Sequence, residues 1–281
     1  MAKRPNARSY AAQESLSALM RQKKPGSGGV LHTGEVEYEW GEKYEGGDAW
    51  AGSGTSIFDP VLTELAVRWF CPPGGLVLDP FAGGSVRGIV SVKLGRQYIG
   101  VDLSERQLVA NRAQAEVICK VGTKPDWRHG DSLEIERICA GVQADMILSC
   151  PPFGNLEVYS EHERDISTMS SEDFHATHAA IIKATCSLLK EDRFAFYVVG
   201  DYRDENGNYE CFPERTVEAF KAAGLHKYNH CILVTSVGSL PVRTTKSFMA
   251  TRKMGKSHQE VYVFVKGDAR KAAELMERDD E

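Results

Sequence analysis

Leu76-Val77-Leu78-Asp79-Pro80-Phe81-Ala82-Gly83-Gly84-Ser85 joins a short apolar run to an acid and then to a turn of small residues. The run is too short for a helix and is bounded by Gly and Pro, so it reads as a buried strand, with a helix following from about Ser85 to Leu94. Working outward, Gln97 to Val101 is a second strand that ends at Asp102-Leu103, and a helix follows from Ser104 to about Val117. Trp127-Arg128-His129 leads to Gly130-Asp131-Ser132, and Met146-Ile147-Leu148 runs into Ser149-Cys150-Pro151-Pro152-Phe153. Upstream, Asp59 is placed to cap a helix from Pro60 to Phe70. Downstream come a helix from about Glu172 to Leu189, a strand over Phe194–Val199, a helix over Pro213–Ala223, and strands at Ile232–Ser236 and Val261–Val265. Strands alternating with helices predict an α/β fold with a mainly parallel sheet covered on both faces. The last two strands show no helical pattern between them and are expected to pair antiparallel.

In doubly wound sheets, ligands lie beyond the carboxyl ends of the strands. Asp79, Asp102, Asp131 and Cys150 each fall at such an end. The turn Pro80-Phe81-Ala82-Gly83-Gly84-Ser85 lets backbone approach a ligand closely, and Asp79 is suited to accept from a cationic amine. The glycine spacing is not GxGxxG, which cradles a pyrophosphate, so a nicotinamide dehydrogenase is disfavoured. Asp102 suits the two hydroxyls of a ribose, although it could equally cap the helix that starts at Ser104. Asp131 suits an adenine amine, or is simply a turn residue. Two prolines after a buried strand cannot continue its ladder, so Pro151-Pro152 fixes a rigid loop, and Phe153 offers a flat base a stacking face.

The 281-residue chain has 42% hydrophobic and 26% charged residues, ordinary for a globular protein, and a net charge of −5. No run approaches the roughly 18 apolar residues of a membrane span. The N-terminus lacks the apolar core of a signal peptide, so a cytoplasmic protein is expected. Seven scattered cysteines without a CxxC pair argue against a disulfide framework and against a structural zinc site, and no metal is expected. Residues 1–52 read as a partly flexible, basic extension, with a short helix at 11–21 and a linker at 24–29. The catalytic unit is expected over 53–267, with an acidic tail over 268–281. Between Leu240 and Gln259 there is no acid, and Arg243, Lys246, Arg252, Lys253 and Lys256 make a basic insertion at about 238–258. The loop from Leu156 to Ser171 is acidic and is expected to act as a mobile lid. His162, His175 and His178 read as surface or core histidines, since no ligand constellation accompanies them.

Taken together, the Asp79–Ser85 turn and the Pro-Pro-Phe loop resemble the two hallmark motifs of the DNA amino-methyltransferases, particularly those of phage and prophage type. These enzymes modify adenine N6 or cytosine N4, and their catalytic motif has the form (Asp/Asn/Ser)-Pro-Pro-(Tyr/Phe/Trp). The resemblance runs from about residue 53 to Gly267, with Ser53 to Pro60 lying where the family places a further cofactor-binding segment. It implies a Rossmann-like class I methyltransferase fold, a seven-stranded sheet with an antiparallel last strand. S-adenosyl-L-methionine is the implied cofactor, held by Phe58, Asp79 to Ser85, Asp102, Leu103, Asp131 and Ser132. Double-stranded DNA is the implied partner, with catalysis at Ser149, Cys150, Pro151, Pro152 and Phe153 on a base swung out of the helix. A role in restriction–modification would follow. Oligomeric state is not legible.

Cys150 departs from the motif, where the family carries an oxygen-bearing side chain, and a thiol is a weak acceptor. Ser149 or the Cys150 carbonyl could assume that role. The cysteine also raises a rival chemistry, methylation of cytosine carbon-5 after thiolate attack on the ring. Transfer to RNA or protein, and DNA binding without catalysis, are further alternatives. The interval from Ser85 to Ser149 is too short for a recognition domain, so base reading would fall to the N-terminal arm, the Leu156–Ser171 loop and the basic insertion. That insertion is expected to meet phosphates.

Overall fold

The computed structural model describes residues 57–276, apart from 155, 157, 161 and 236–239 and the side chains of Val242, Arg243 and Lys246. The N-terminal extension, the Ser53–Ser56 segment and the last residues of the acidic tail lie outside the described residues.

Asp59 accepts from the amides of Val61 (2.7 Å) and Leu62 (3.3 Å) and starts α1, Pro60–Phe70, with proline in the first turn. There follow β1 (Leu76–Asp79), α2 (Val86–Lys93), β2 (Gln97–Asp102), α3 (Glu105–Ile118), β3 (Asp126–His129), the short α4 (Ile135–Ile138) and β4 (Ala144–Ser149). The second half holds α5 (Ser171–Ser187), β5 (Leu189–Val199), α6 (Phe212–Ala222), β6 (His226–Val234), α7 (Leu240–Thr251), β7 (His258–Lys266) and α8 (Ala269–Glu274).

The seven strands form one sheet in the order β3-β2-β1-β4-β5-β7-β6. Parallel pairing runs from β3 to β5, and β7 is antiparallel to both β5 and β6. This is the Rossmann-like methyltransferase architecture with its antiparallel last strand. Residues alternate strictly between two cores. Leu78, Ile147, Ala195, Tyr197 and Phe264 face α4, α5 and α6, whereas Val77, Met146, Leu148, Phe196 and Val263 face α1, α2, α3 and α8. The order reverses direction between β1 and β4, and the crevice at their carboxyl ends is where such sheets bind ligands.

Three expectations change. The segment between the last strands contains α7, on which none of the described side chains is buried. Phe248 and Met249 on it are exposed, and Thr244, Thr245 and Thr251 each donate to the carbonyl four residues back. β6 also starts at His226 rather than Ile232, because it is an edge strand whose residues are all exposed or half-buried. The chain after Asp268, read as tail, begins as α8 with Ala272 fully buried. Among the described residues no helix is long and apolar enough to cross a membrane.

Gly88 lies where α2 meets β2 and β3, and a Cβ there would sit 2.9 Å from the Trp127 ring and 3.0 Å from both Pro125 and the Tyr98 ring. All three neighbours are stiff. Gly88→Ala should therefore lower stability by about 1–3 kcal/mol despite the better helix propensity of alanine. A Tm in thermal melts equal to or above that of the unmodified protein would contradict this packing.

Candidate active site

Asp79, the last residue of β1, is completely buried. Its Oδ1 accepts from the Ser149 hydroxyl at 2.5 Å and the Phe81 amide at 3.1 Å. Its Oδ2 accepts from Arg87 Nε at 2.6 Å and the Tyr98 hydroxyl at 2.9 Å. Burial, and next the Asp79 charge, push the Tyr98 phenol well above its ordinary range, so it remains a donor. For Arg87 burial is the largest influence and disfavours the charge, but Asp79 together with smaller contributions from its other neighbours outweighs it and the pKa is raised. The guanidinium reaches on to the carbonyls of Phe81 and Ala82, and the Phe58 ring covers it at 4.7 Å. The turn is pinned at further points. Ser132 donates to the Pro80 carbonyl, Asn111 Nδ2 to the Gly83 carbonyl at 2.7 Å, and Ser85 to Gln114.

Gly83 has φ of +48°, a left-handed conformation suited to glycine, and a Cβ on Gly84 would meet nothing within 4 Å. The turn thus shows bare backbone to open space. Beside it, the Asp102 carboxyl accepts from Gly83 N (2.7 Å) and Ser104 N (2.8 Å), one bond to each oxygen. Burial raises its pKa against the pull of those two amides. Asp131 caps the short turn after β3 by accepting from Leu133 N at 2.9 Å, and Arg164 approaches its other oxygen at 3.6 Å. Asp131 therefore has the local capping role its position allows, whereas the helix after β2 is capped by Ser104, whose hydroxyl accepts from Gln107 N at 3.3 Å, and Asp102 instead ties the turn to the start of that helix. Each oxygen of Asp102 keeps a lone pair for a further donor.

Across the crevice, Ser149 ends β4, and the loop that follows is held by glycine contacts. The Phe153 ring lies against Gly200, where a Cβ would come within 2.9 Å of it, and within 6.4 Å of the Phe212 ring. Gly154 has φ of +59°, and its backbone rests on the Tyr202 ring. Cys150 is half-buried and packs against the core layer that contains Phe58 and Leu148. Beneath lies an aromatic group: His178 stacks on Phe174, contacts Phe212 at 4.9 Å and bonds the Tyr197 hydroxyl at 3.1 Å. Burial, and then neighbouring His175, depress His178 to a pKa of about 3. His175 is also buried, and among the described residues no His/Cys/Asp/Glu group is arranged to hold a metal.

The two loops and the acids thus meet at one edge, as the strand-end positions predict. Arg87 and Tyr98 went unread in the sequence. The one signal was a basic residue inside the otherwise apolar Val86–Val92 run.

Residues 38–111 match the family model described as DNA methylase, the N6/N4 methyltransferase model. Three characterised type II methyltransferases are similar over the same order of length. M.SmaI of Serratia marcescens is 36% identical over 58 residues, 21% of this chain and 20% of its own. M2.DpnII of Streptococcus pneumoniae is 32% identical over 69 residues, 25% of this chain and 26% of its own. Over this segment the chain is similar to DNA methylases of the N6/N4 type. The chain spans about a quarter or less of the length of these two relatives. Two solved structures share the fold. TrmN from Thermus thermophilus has a TM-score of 0.50 at 19% identity over 78% of this chain and 51% of its own. The [4+2]-cyclase SpnF has a TM-score of 0.50 at 13% identity over 74% and 81%. Since one neighbour is a cyclase, the fold by itself does not decide the reaction.

The family signature covers the turn at Asp79–Ser85 and Asp102, but ends before the Pro-Pro-Phe loop. The basic insertion flanks that loop's side of the sheet. Lys256 pairs with Glu260 at 3.1 Å, and Glu260 also meets His230 at 2.9 Å and His258 at 3.3 Å. Burial would raise the Glu260 pKa, but bonds from His230 and Lys256 outweigh it and hold it low. Tyr209, Gly255, Lys256, His258 and Asp201 line a concavity of about 260 Å³. The Lys253 side chain lies over Gly207, and Arg252, with φ of +61°, stacks on Phe248 at 5.2 Å. Arg243 and Lys246 fall on α7 with their side chains outside the described residues. In the Leu156–Ser171 loop, Asp165 is turned inward and accepts from Ser160 and Ser167, so part of its acidity serves the loop's own structure.

His178 sets a pH dependence. Its folded-state pKa of about 3 lies below the ordinary 6.5, so it costs nothing above pH 6.5. As the pH falls below 6.5 the unfolded chain takes up a proton that the folded chain refuses, and stability drops by up to about 1.4 kcal/mol per pH unit. His178→Gln should flatten the decline between pH 6.5 and 5, measured by denaturant unfolding. Parallel curves would show that His178 does not titrate in this way.

Proposed function

We propose that this chain is a methyltransferase that moves the sulfonium methyl of S-adenosylmethionine to an exocyclic amine of a DNA base, adenine N6 or cytosine N4. The observation that carries the reading is the meeting of a family-matched, backbone-bare turn with a rigid Pro-Pro-Phe loop at one crevice. The residues present fit the cofactor. Open backbone at Gly83-Gly84 would receive its amino-acid part, Asp102 has spare lone pairs for ribose hydroxyls, and Asp131 and Ser132 border the third strand end. When bound, the group supplies an electrophilic methyl, so the protein's task is largely orientation and exclusion of water.

The acceptor base would leave the duplex and lie against the half-buried Phe153 ring. Because the Ser149 hydroxyl donates to Asp79, it is turned away from a base amine. The backbone carbonyls of the Cys150-Pro151 segment then accept from that amine and fix the direction of its lone pair. Arg252 and Lys253, with Arg243 and Lys246 on α7, would track phosphates beside the site, whereas Lys256 is partly neutralised by Glu260.

Incubation with labelled S-adenosylmethionine and varied DNA, followed by nucleoside mass spectrometry, should yield N6-methyladenine or N4-methylcytosine. No methylated nucleoside across DNA of diverse sequence would defeat the proposal. Cys150→Ala should retain activity within about tenfold, since its backbone carbonyl is preserved. Abolished turnover together with 5-methylcytosine as the wild-type product would instead favour attack by the thiolate.

A further inference from the structure

Asp79 invites the reading that it binds the cofactor's amine, but its hydrogen-bonding capacity is full. A carboxyl group offers about four lone-pair sites. Four donors occupy them, two on each oxygen: Phe81 N–H and Ser149 O–H on Oδ1, Arg87 Nε–H and Tyr98 O–H on Oδ2. The side chain has no exposed surface, and Arg87 is 5% exposed. A ligand amine would have to displace an internal donor and strand it in the core.

We infer that Arg87 and Asp79 act as a positioning pair that ties the cofactor-side turn to the catalytic loop, with Ser149 as the connecting strut. This rests on the function proposed above. Arg87 holds the turn from below through the Phe81 and Ala82 carbonyls while gripping Asp79. Asp79 in turn holds the residue at which β4 gives way to the loop. The spacing between the two loops is therefore set by one buried chain of hydrogen bonds: turn carbonyls, guanidinium, carboxyl, hydroxyl. Such a spacing governs how a bound methyl donor meets a bound amine, and a small misplacement there costs rate more than affinity. Lysine cannot substitute for Arg87, because its single ammonium lacks the planar fork that reaches the carboxyl and two carbonyls together.

Three variants of the 281-residue chain test this, with cofactor affinity measured by calorimetry and methyl transfer measured separately. Ser149→Ala cuts the strut but leaves the Arg87–Asp79 pair intact. It should lower kcat about 10- to 100-fold while the Kd for S-adenosylmethionine stays within threefold, and Ser149→Thr should recover most of the rate. Arg87→Lys releases the turn itself and should weaken cofactor binding at least tenfold, with its folding checked by circular dichroism. Ser149→Ala with a wild-type rate, or with affinity and rate lost together, would overturn the strut. Arg87→Lys binding cofactor as the wild type does would overturn the clamp. If the wild type methylates no DNA, the functional proposal fails, and the clamp is then judged on the affinity of Arg87→Lys alone.

Discussion

A carboxyl group removed wholly from water must be answered by donors, because an unpaired one in a core is costly. Asp79 meets that requirement by drawing side chains from three other elements to the end of β1: Arg87 from α2, Tyr98 from β2 and Ser149 from β4. The demand for saturation fixes more than a local contact. It brings the two strands on either side of β1 into registry with it, since Asp79 pairs with Gly100 in β2 while Leu78 pairs with Ile147 in β4. It also sets the height of the turn over the sheet, because the same guanidinium that answers Asp79 holds the carbonyls of Phe81 and Ala82. The crevice is built around a satisfied internal charge, and what it leaves for a ligand is backbone.

That arrangement divides labour along the edge. Asp79 is spent on architecture, whereas Asp102 accepts only one amide on each oxygen and keeps capacity for a ligand. Gly100 shows how tightly the two are nested: a Cβ there would fall 2.7 Å from the Tyr98 ring and 2.8 Å from Ala82. On the other side, the Pro-Pro-Phe loop has its own supports, with Phe153 seated on Gly200 and Gly154 on Tyr202. Each loop is rigid by separate means, and the Ser149–Asp79 bond joins them directly.

Much of this was legible from sequence because it depends on local signals. Apolar runs punctuated by Gly and Pro mark β1, β2 and β4, and an acid or a proline pair closes each. Alternation of strand and helix gives the sheet, and the position of the acids at strand ends gives the edge. What sequence hid has a common physical cause. Arg87 stands out only as a basic residue in a mostly apolar run, and its ties to Asp79 and the turn follow from the packing of α2 against the sheet. The first half of β6 is polar because it lies on an edge, so it carries no apolar run. The described side chains of α7 are exposed or half-buried, and its threonines weaken the helical signal. The carboxyl of Asp79 could be assigned to a ligand from sequence alone, because the three side-chain donors that fill it come from residues eight to seventy positions away.

The decisive feature is where the carboxyl of Asp79 points when the site is filled. A crystal structure with S-adenosylhomocysteine should place the ligand over Gly83-Gly84, with Asp79 still bonded to Arg87, Tyr98 and Ser149. A ligand amine bonded to Asp79, with Arg87 or Ser149 displaced, would contradict it.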